Sequence, residues 1–116
     1  MSDLQIMGVD RKIQIDRRAM AKRSRVRITV RVRRPGESWV SSVIADLSLT
    51  GFRLQSFMKL KSGSELWIML PGFEGRRAIV LWTRAHEAGC AFERALHPAI
   101  LDHVIARYGG AKPDDA

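Results

Sequence analysis

The sequence predicts a mainly β fold: a small six-stranded antiparallel β-barrel with a C-terminal α-helix and a flexible basic N-terminal arm. Three observations predict it. Residues 25–32 alternate strictly, with Val26, Ile28, Val30 and Val32 on one face and Arg25, Arg27, Thr29 and Arg31 on the other, the period of a half-buried strand. Further short β-branched and aromatic runs follow, separated by turn signals such as Arg34-Pro35-Gly36-Glu37 and Pro71-Gly72. Near residue 98 the period changes, and Ile100, Leu101, Val104, Ile105 and Tyr108 recur at helical spacing.

The elements follow in order. Residues 1–16 show no clear period and read as a flexible lead-in. Residues 17–109 form the domain, and 110–116 a frayed tail. Arg17 to Arg25 are dense in charge and precede the first strand. Trp39 to Ser48 read as a second strand, hairpinned to the first, with Val43, Ala45 and Leu47 on one face and Ile44, Asp46 and Ser48 on the other. Thr50-Gly51 breaks that run, and Phe52, Leu54 and Gln55 resume it. After the loop Lys61-Ser62-Gly63-Ser64, Leu66 to Leu70 make an apolar strand. Arg77 to Arg84 hold another apolar run, Ala78 to Trp82, and His86 to Glu93 form a last strand. Pro98 suits a first helical turn and Gly109-Gly110 a helix stop. Closing the strands into a barrel leaves no exposed sheet edge, and the helix then covers one mouth.

Charge is distributed unevenly. Residues 1–34 carry eleven basic groups against three acids, so the whole net charge of +8 lies there; nine bases and nine acids cancel in the rest. A neutral domain carrying a cationic arm points to an anionic partner. The 116 residues suffice for one ordinary domain with its own core. One cysteine, Cys90, excludes an internal disulfide and a Cys-rich zinc site. No apolar run approaches the roughly 20 residues of a membrane span, and the N-terminus lacks the apolar stretch of a signal peptide. The expected setting is cytoplasmic, without membrane insertion.

Catalytic chemistry is not expected. His86, His97 and His103 are not spaced as paired metal ligands, no phosphate-cradling glycine loop or nucleophile elbow is present, and no set of base, orienter and oxyanion donors emerges. Cys90, between Gly89 and Ala91, reads as a small buried filler. Trp82 reads as core, or else as a stacking surface on the barrel wall. Trp39 and Trp67 read as packing. Two features stand apart: the arginine cluster around Arg17 to Arg27, and Asp46-Leu47-Ser48-Leu49-Thr50-Gly51, a D-x-S-x-x-G run at a strand end. Asp46 and Ser48 fall on one face by the two-residue period. Alone, they suit either a turn bonding its own amides or a ligand site.

Taken together, an arginine-rich lead-in, a β-hairpin and D-x-S-x-x-G at the end of its second strand resemble the PilZ domain family. Val80-x-Trp82 followed by Gly89-x-x-Phe92 is similar to that family's late-strand pattern, and Gly63 ahead of the apolar strand also fits. The resemblance spans roughly residues 17–108. It implies a PilZ-like split barrel and, as ligand, the bacterial second messenger cyclic di-GMP, held in the family by R-x-x-x-R and D/N-x-S-x-x-G. The site residues it implies are Arg18, Arg23, Arg27, Asp46, Ser48 and Gly51, with Arg17, Lys22 and Trp82 as secondary contacts. Arg23 and Arg27 meet the literal spacing, but Arg27 already alternates within the first strand; Arg18 and Arg23 lie upstream with one extra residue between them. Guanidinium groups bridge phosphate oxygens or reach guanine bidentately, and lysine does this less well.

Three functions follow as alternatives. The first is a cyclic di-GMP receptor, without other cofactor or metal, whose basic arm changes conformation on binding and signals to an unidentified downstream protein. The second is a PilZ-like adaptor acting through protein contacts without the nucleotide. The third is a nucleic-acid binder, disfavoured because the predicted strands lack an interleaved row of exposed aromatics.

Overall fold

Val26, Ile28, Val30 and Val32 all point inward and are buried, and the strand they define, β1 (Ser24–Arg33), sets the frame for the rest. The computed structural model describes residues 23–108. After β1 come β2 (Val40–Leu47), β3 (Gly51–Gln55), β4 (Glu65–Met69), β5 (Gly75–Arg84), β6 (Glu87–Phe92) and a helix, α1 (Pro98–Tyr108). Every neighbouring pair is antiparallel, and the strands close in the order β1-β2-β3-β6-β5-β4. The six-stranded barrel and C-terminal helix are thus as the sequence predicts. The lead-in, the arm with Arg17, Arg18 and Lys22, and the tail lie outside the described residues.

Alternation supplies the core. Leu66 and Ile68 of β4, Ala78 and Val80 of β5, and Ala88, Cys90 and Phe92 of β6 meet the β1 valines, Ile44, Leu47, Phe52 and Leu54 inside the barrel. α1 covers one mouth with Val104 fully buried and Ile100, Leu101 and Ile105 packed against the core. The His97 Nδ1 accepts from the Ala99 N–H at 3.0 Å, capping the helix start. The Leu96 N–H donates to the Leu49 carbonyl at 2.8 Å, which ties the lead-in of the helix to the turn after β2. Among the described residues, no helix is long and apolar enough to cross a membrane.

Three register shifts interrupt the ladders: in β1 between Arg25 and Ile28, in β2 between Ile44 and Asp46, and in β5 between Val80 and Trp82. Each inserts one extra residue, and in β2 and β5 the side chains beyond it turn over, while the alternation of β1 runs on unbroken. Two expectations change as a result. In β2 the buried set is Ser42, Ile44 and Leu47, so the faces expected from uninterrupted alternation do not hold. Asp46 is turned outward, but β2 ends at Leu47 and Ser48 is buried in the turn beyond it, so the strand's end and not the shift keeps the two from sharing a face. In β5 simple alternation from Ala78 and Val80 would bury Trp82. The shift instead places it on the outer wall, 37% exposed beside Leu81 at 56%, so it is not core.

Candidate functional site

The bulges build one row of outward residues across five strands. Arg25 of β1 faces Asp46 of β2, which faces Arg53 of β3, which faces Gly89 of β6, which faces Trp82 of β5. Within the row Arg53 is the hub. Its Nε donates to Asp46 Oδ2 at 2.6 Å and its Nη1 to Glu87 Oε2 at 2.6 Å. Gln55 Nε2 also donates to Glu87 Oε2, at 3.2 Å. The hydrogen bond to Asp46, above all, holds the Arg53 guanidinium above its ordinary pKa; partial burial opposes it, and Glu87 adds to the hold.

The D-x-S-x-x-G run is a turn that satisfies itself. Ser48 is 3% exposed, and its Oγ accepts from the Thr50 N–H at 3.2 Å and the Gly51 N–H at 3.1 Å. The Ser48 N–H donates to the Gly51 carbonyl at 2.9 Å. Gly51 is required by close approach. A Cβ there would stand 3.3 Å from the Ala91 Cα and much closer to the Cys90 carbonyl oxygen, which is backbone and cannot give way. Gly89 is required by Trp82. A Cβ would lie 2.8 Å from Cζ2 of the indole and closer still to Nε1 and Cε2, so the ring rests flat on bare backbone.

Between this ring and the turn lies a groove of about 290 Å³ on the outer wall. Gly51, Gly89 and Ala91 line it as small residues, Trp82 and Leu81 stand on one side, Ser48 and Thr50 on the other, and Arg23 joins them from the segment before β1. Arg84 stacks on the Trp82 ring, its Cζ 5.9 Å from the centroid. The arrangement offers an aromatic ring, 37% exposed and shared with Arg84, a small-residue lining and an exposed guanidinium, which suits a planar, anionic ligand. The cavity of about 430 Å³ beneath the α1 mouth, lined by Phe73, Arg76, Arg94 and Ile100 among others, shares no residue with it.

Of the sequence-predicted site residues, Arg23, Ser48, Gly51 and Trp82 meet at this groove. Asp46 stands two strands from Gly89 in the row and is engaged by Arg53. Arg27 is exposed on the outer face at the β1 bulge and does not line the groove. Arg17, Arg18 and Lys22 lie outside the described residues. Sequence reasoning missed Arg53 and Glu87. The signal was there for Arg53: it alternates between buried Phe52 and Leu54 two residues past Gly51, which turns it outward beside Asp46. Among the described residues, no cluster of His, Cys, Asp and Glu could hold a metal ion. Cys90 is buried, and desolvation pushes its thiol up to about 12.

A closed six-strand barrel capped by a C-terminal helix, with a D-x-S-x-x-G turn and a tryptophan-walled groove outside it, defines a small β-barrel binding module. The PilZ domain model matches residues 16–108, and the chain belongs to the PilZ domain family, a family of cyclic di-GMP receptors and adaptors. Two solved structures share the fold. The Bacillus subtilis inhibitor of motility (MotI/DgrA) is 16% identical with a TM-score of 0.54, over 73% of this chain and 48% of that one. The PilZ domain of CeSA from a cellulose-synthesizing bacterium is 18% identical with a TM-score of 0.51, over 74% of this chain and 92% of that one. The chain therefore spans about half the length of the first and nearly all of the second. No curated protein matches it.

Proposed function

We propose that the protein is a cyclic di-GMP receptor whose ligand lies in the groove between Trp82 and the Ser48–Gly51 turn. The observation that carries this reading is the convergence there of Arg23, Trp82 and the small residues Gly51 and Gly89. A guanine takes the place of Arg84 on the outer face of the Trp82 ring, and the small residues let it approach the sheet. Arg23 and Arg18 take the phosphodiester oxygens as the principal pair, Arg27 is the next candidate, and Arg17 and Lys22 are secondary. Asp46 accepts from a guanine edge through Oδ1 while Oδ2 keeps Arg53. Ser48 and Gly51 act by shaping the turn. Bound nucleotide draws the basic segment ahead of β1 over the groove and so alters the surface that a downstream protein reads.

Calorimetric titration with cyclic di-GMP tests the reading. The expected result is saturable binding, weakened roughly tenfold to a hundredfold by Arg23→Ala, the loss of one charge-assisted hydrogen-bonding group, and similarly weakened by Trp82→Ala. Absence of both heat and thermal shift at high ligand concentration refutes it. One observation favours a second reading, a PilZ adaptor that acts without the nucleotide: Asp46 is already engaged by Arg53, and Ser48 by its own turn. That reading gains from an intact barrel that gives no heat yet holds a defined partner protein.

A further inference from the structure

The outer wall of β1 and β4, on the other half of the barrel from the groove, carries a different arrangement. Arg25, Arg27, Arg31 and Arg33 all point outward along β1. Arg25 faces Asp46, but the cross-strand neighbours of Arg31 and Arg33 carry no charge. Arg31 faces Ser41 on one side and Met69 on the other, and Arg33 faces Trp67. Glu65 of β4 and Glu93, just after β6, are committed, since Arg77 bonds Glu65 and lies 3.7 Å from Glu93. Among the described residues, Arg31 and Arg33 have no acidic partner.

Arg33 is also held in place. Its Cζ lies 5.0 Å from the Trp39 ring centroid and 5.6 Å from that of Trp67. Trp39 in turn rests near Gly75, where a Cβ would come within 3.2 Å of Cη2. Trp67 takes a second guanidinium, Arg77, at 5.9 Å. A guanidinium stacked between two indoles loses its freedom to rotate but keeps its in-plane N–H donors, the geometry that forks a carboxylate. Ordering entropy that a mobile arginine would lose on binding is already lost here.

We infer that this wall is a docking surface for an acidic segment of a partner protein, with Arg33 as anchor and Arg31 as the adjoining contact. Successive outward residues on a strand stand roughly 6.5 Å apart, the spacing of alternate side chains in an extended acidic peptide. At Arg31 and Val32 β1 is paired to both β2 and β4, so recognition there falls to side chains and not to strand addition. Fixed Trp and Arg side chains around a methionine are the residue types enriched at protein interfaces. A nucleic acid is the poorer fit, because arginines already stack on both indoles and sequence-tolerant strand binding needs open rings for its bases. The inference rests on the receptor and adaptor reading, and it gives the chemistry of the partner.

Fluorescence anisotropy with a labelled peptide of alternating glutamate and serine tests it. The expected result is saturable binding, weakened roughly tenfold or more by Arg33→Ala, as for loss of a charge-assisted contact. Arg33→Lys, which keeps charge but loses the fork, and Trp39→Ala, which keeps charge but frees the guanidinium, weaken it severalfold. Arg94→Ala, a cation at the α1 mouth, leaves it unchanged. Equal loss with Arg94→Ala, or no effect of Arg33→Lys and Trp39→Ala, overturns the inference in favour of net charge alone. Tighter, Arg33-dependent binding of single-stranded oligothymidylate overturns it in favour of nucleic acid. Titrating the same variants with cyclic di-GMP separates the two sites: nucleotide binding persists in Arg33→Ala, and its absence from the parent protein leaves the peptide result standing.

Discussion

Gly89 shows how much one side chain decides. Cβ atoms of residues facing each other across antiparallel strands point to the same side, and Trp82 lies where that of residue 89 would be. Gly89→Ala therefore forces the indole off the sheet. The core residues Ala88 and Cys90 flanking it face the other way and are untouched, so the barrel should survive with a stability loss of about 1 kcal/mol, the range of ordinary point substitutions. The Trp82 indole N–H resonance should shift and broaden, and cyclic di-GMP affinity should drop at least as far as in Trp82→Ala. An unshifted indole signal would show that the ring does not depend on the bare glycine. Asp46 teaches a related lesson. Its motif was legible, but its partner was passed over, because the motif ends at Gly51 and Arg53, outward by simple alternation, lies two residues beyond it.

At the scale of elements, alternation and turn chemistry were enough to place every strand and the helix, with ends shifted by a residue or two. Val26 to Val32 needed nothing more than period and β-branching. What the sequence did not disclose were the bulges in β1, β2 and β5. A bulge inserts one residue without any obligatory residue type, so Ala45 and Leu81 look like ordinary strand positions, yet everything beyond them turns over. That is why Trp82 read as core and is wall; Asp46 and Ser48 separate for another reason, because β2 ends at Leu47 and Ser48 lies in the turn beyond it. The turn after β2 holds this geometry through Ser48 Oγ, which satisfies two backbone N–H groups in a nearly water-free place. Ser48→Ala removes the oxygen that both N–H groups share. The expected cost is about 1–3 kcal/mol, that of a buried unsatisfied group, seen as a lower urea midpoint with an unchanged m-value. Retention of the wild-type midpoint would mean that water replaces the hydroxyl.

For the whole molecule, closure is the governing fact. Each strand is paired on both sides, so the interior opens only when the ladder as a whole gives way. Cys90 reports on that opening. It sits inside on β6, 4% exposed, with its thiol pushed up to about 12 by desolvation. In native buffer near neutral pH it should resist iodoacetamide, and its labelling rate should rise with urea in proportion to the globally unfolded fraction. The sign of the pH effect follows from the same shift. The folded state keeps the thiol proton more tightly than the unfolded chain, whose thiol titrates near 9.0. Its contribution to stability is therefore fully present below that value and is lost as pH rises through about 12. Urea midpoints should accordingly fall across this alkaline window in the parent protein, and fall less in Cys90→Ala, which has nothing there to ionise. Fast labelling of the native protein would instead place a local opening at β6, next to Gly89 and the groove, and would make that strand the mobile part of an otherwise closed barrel.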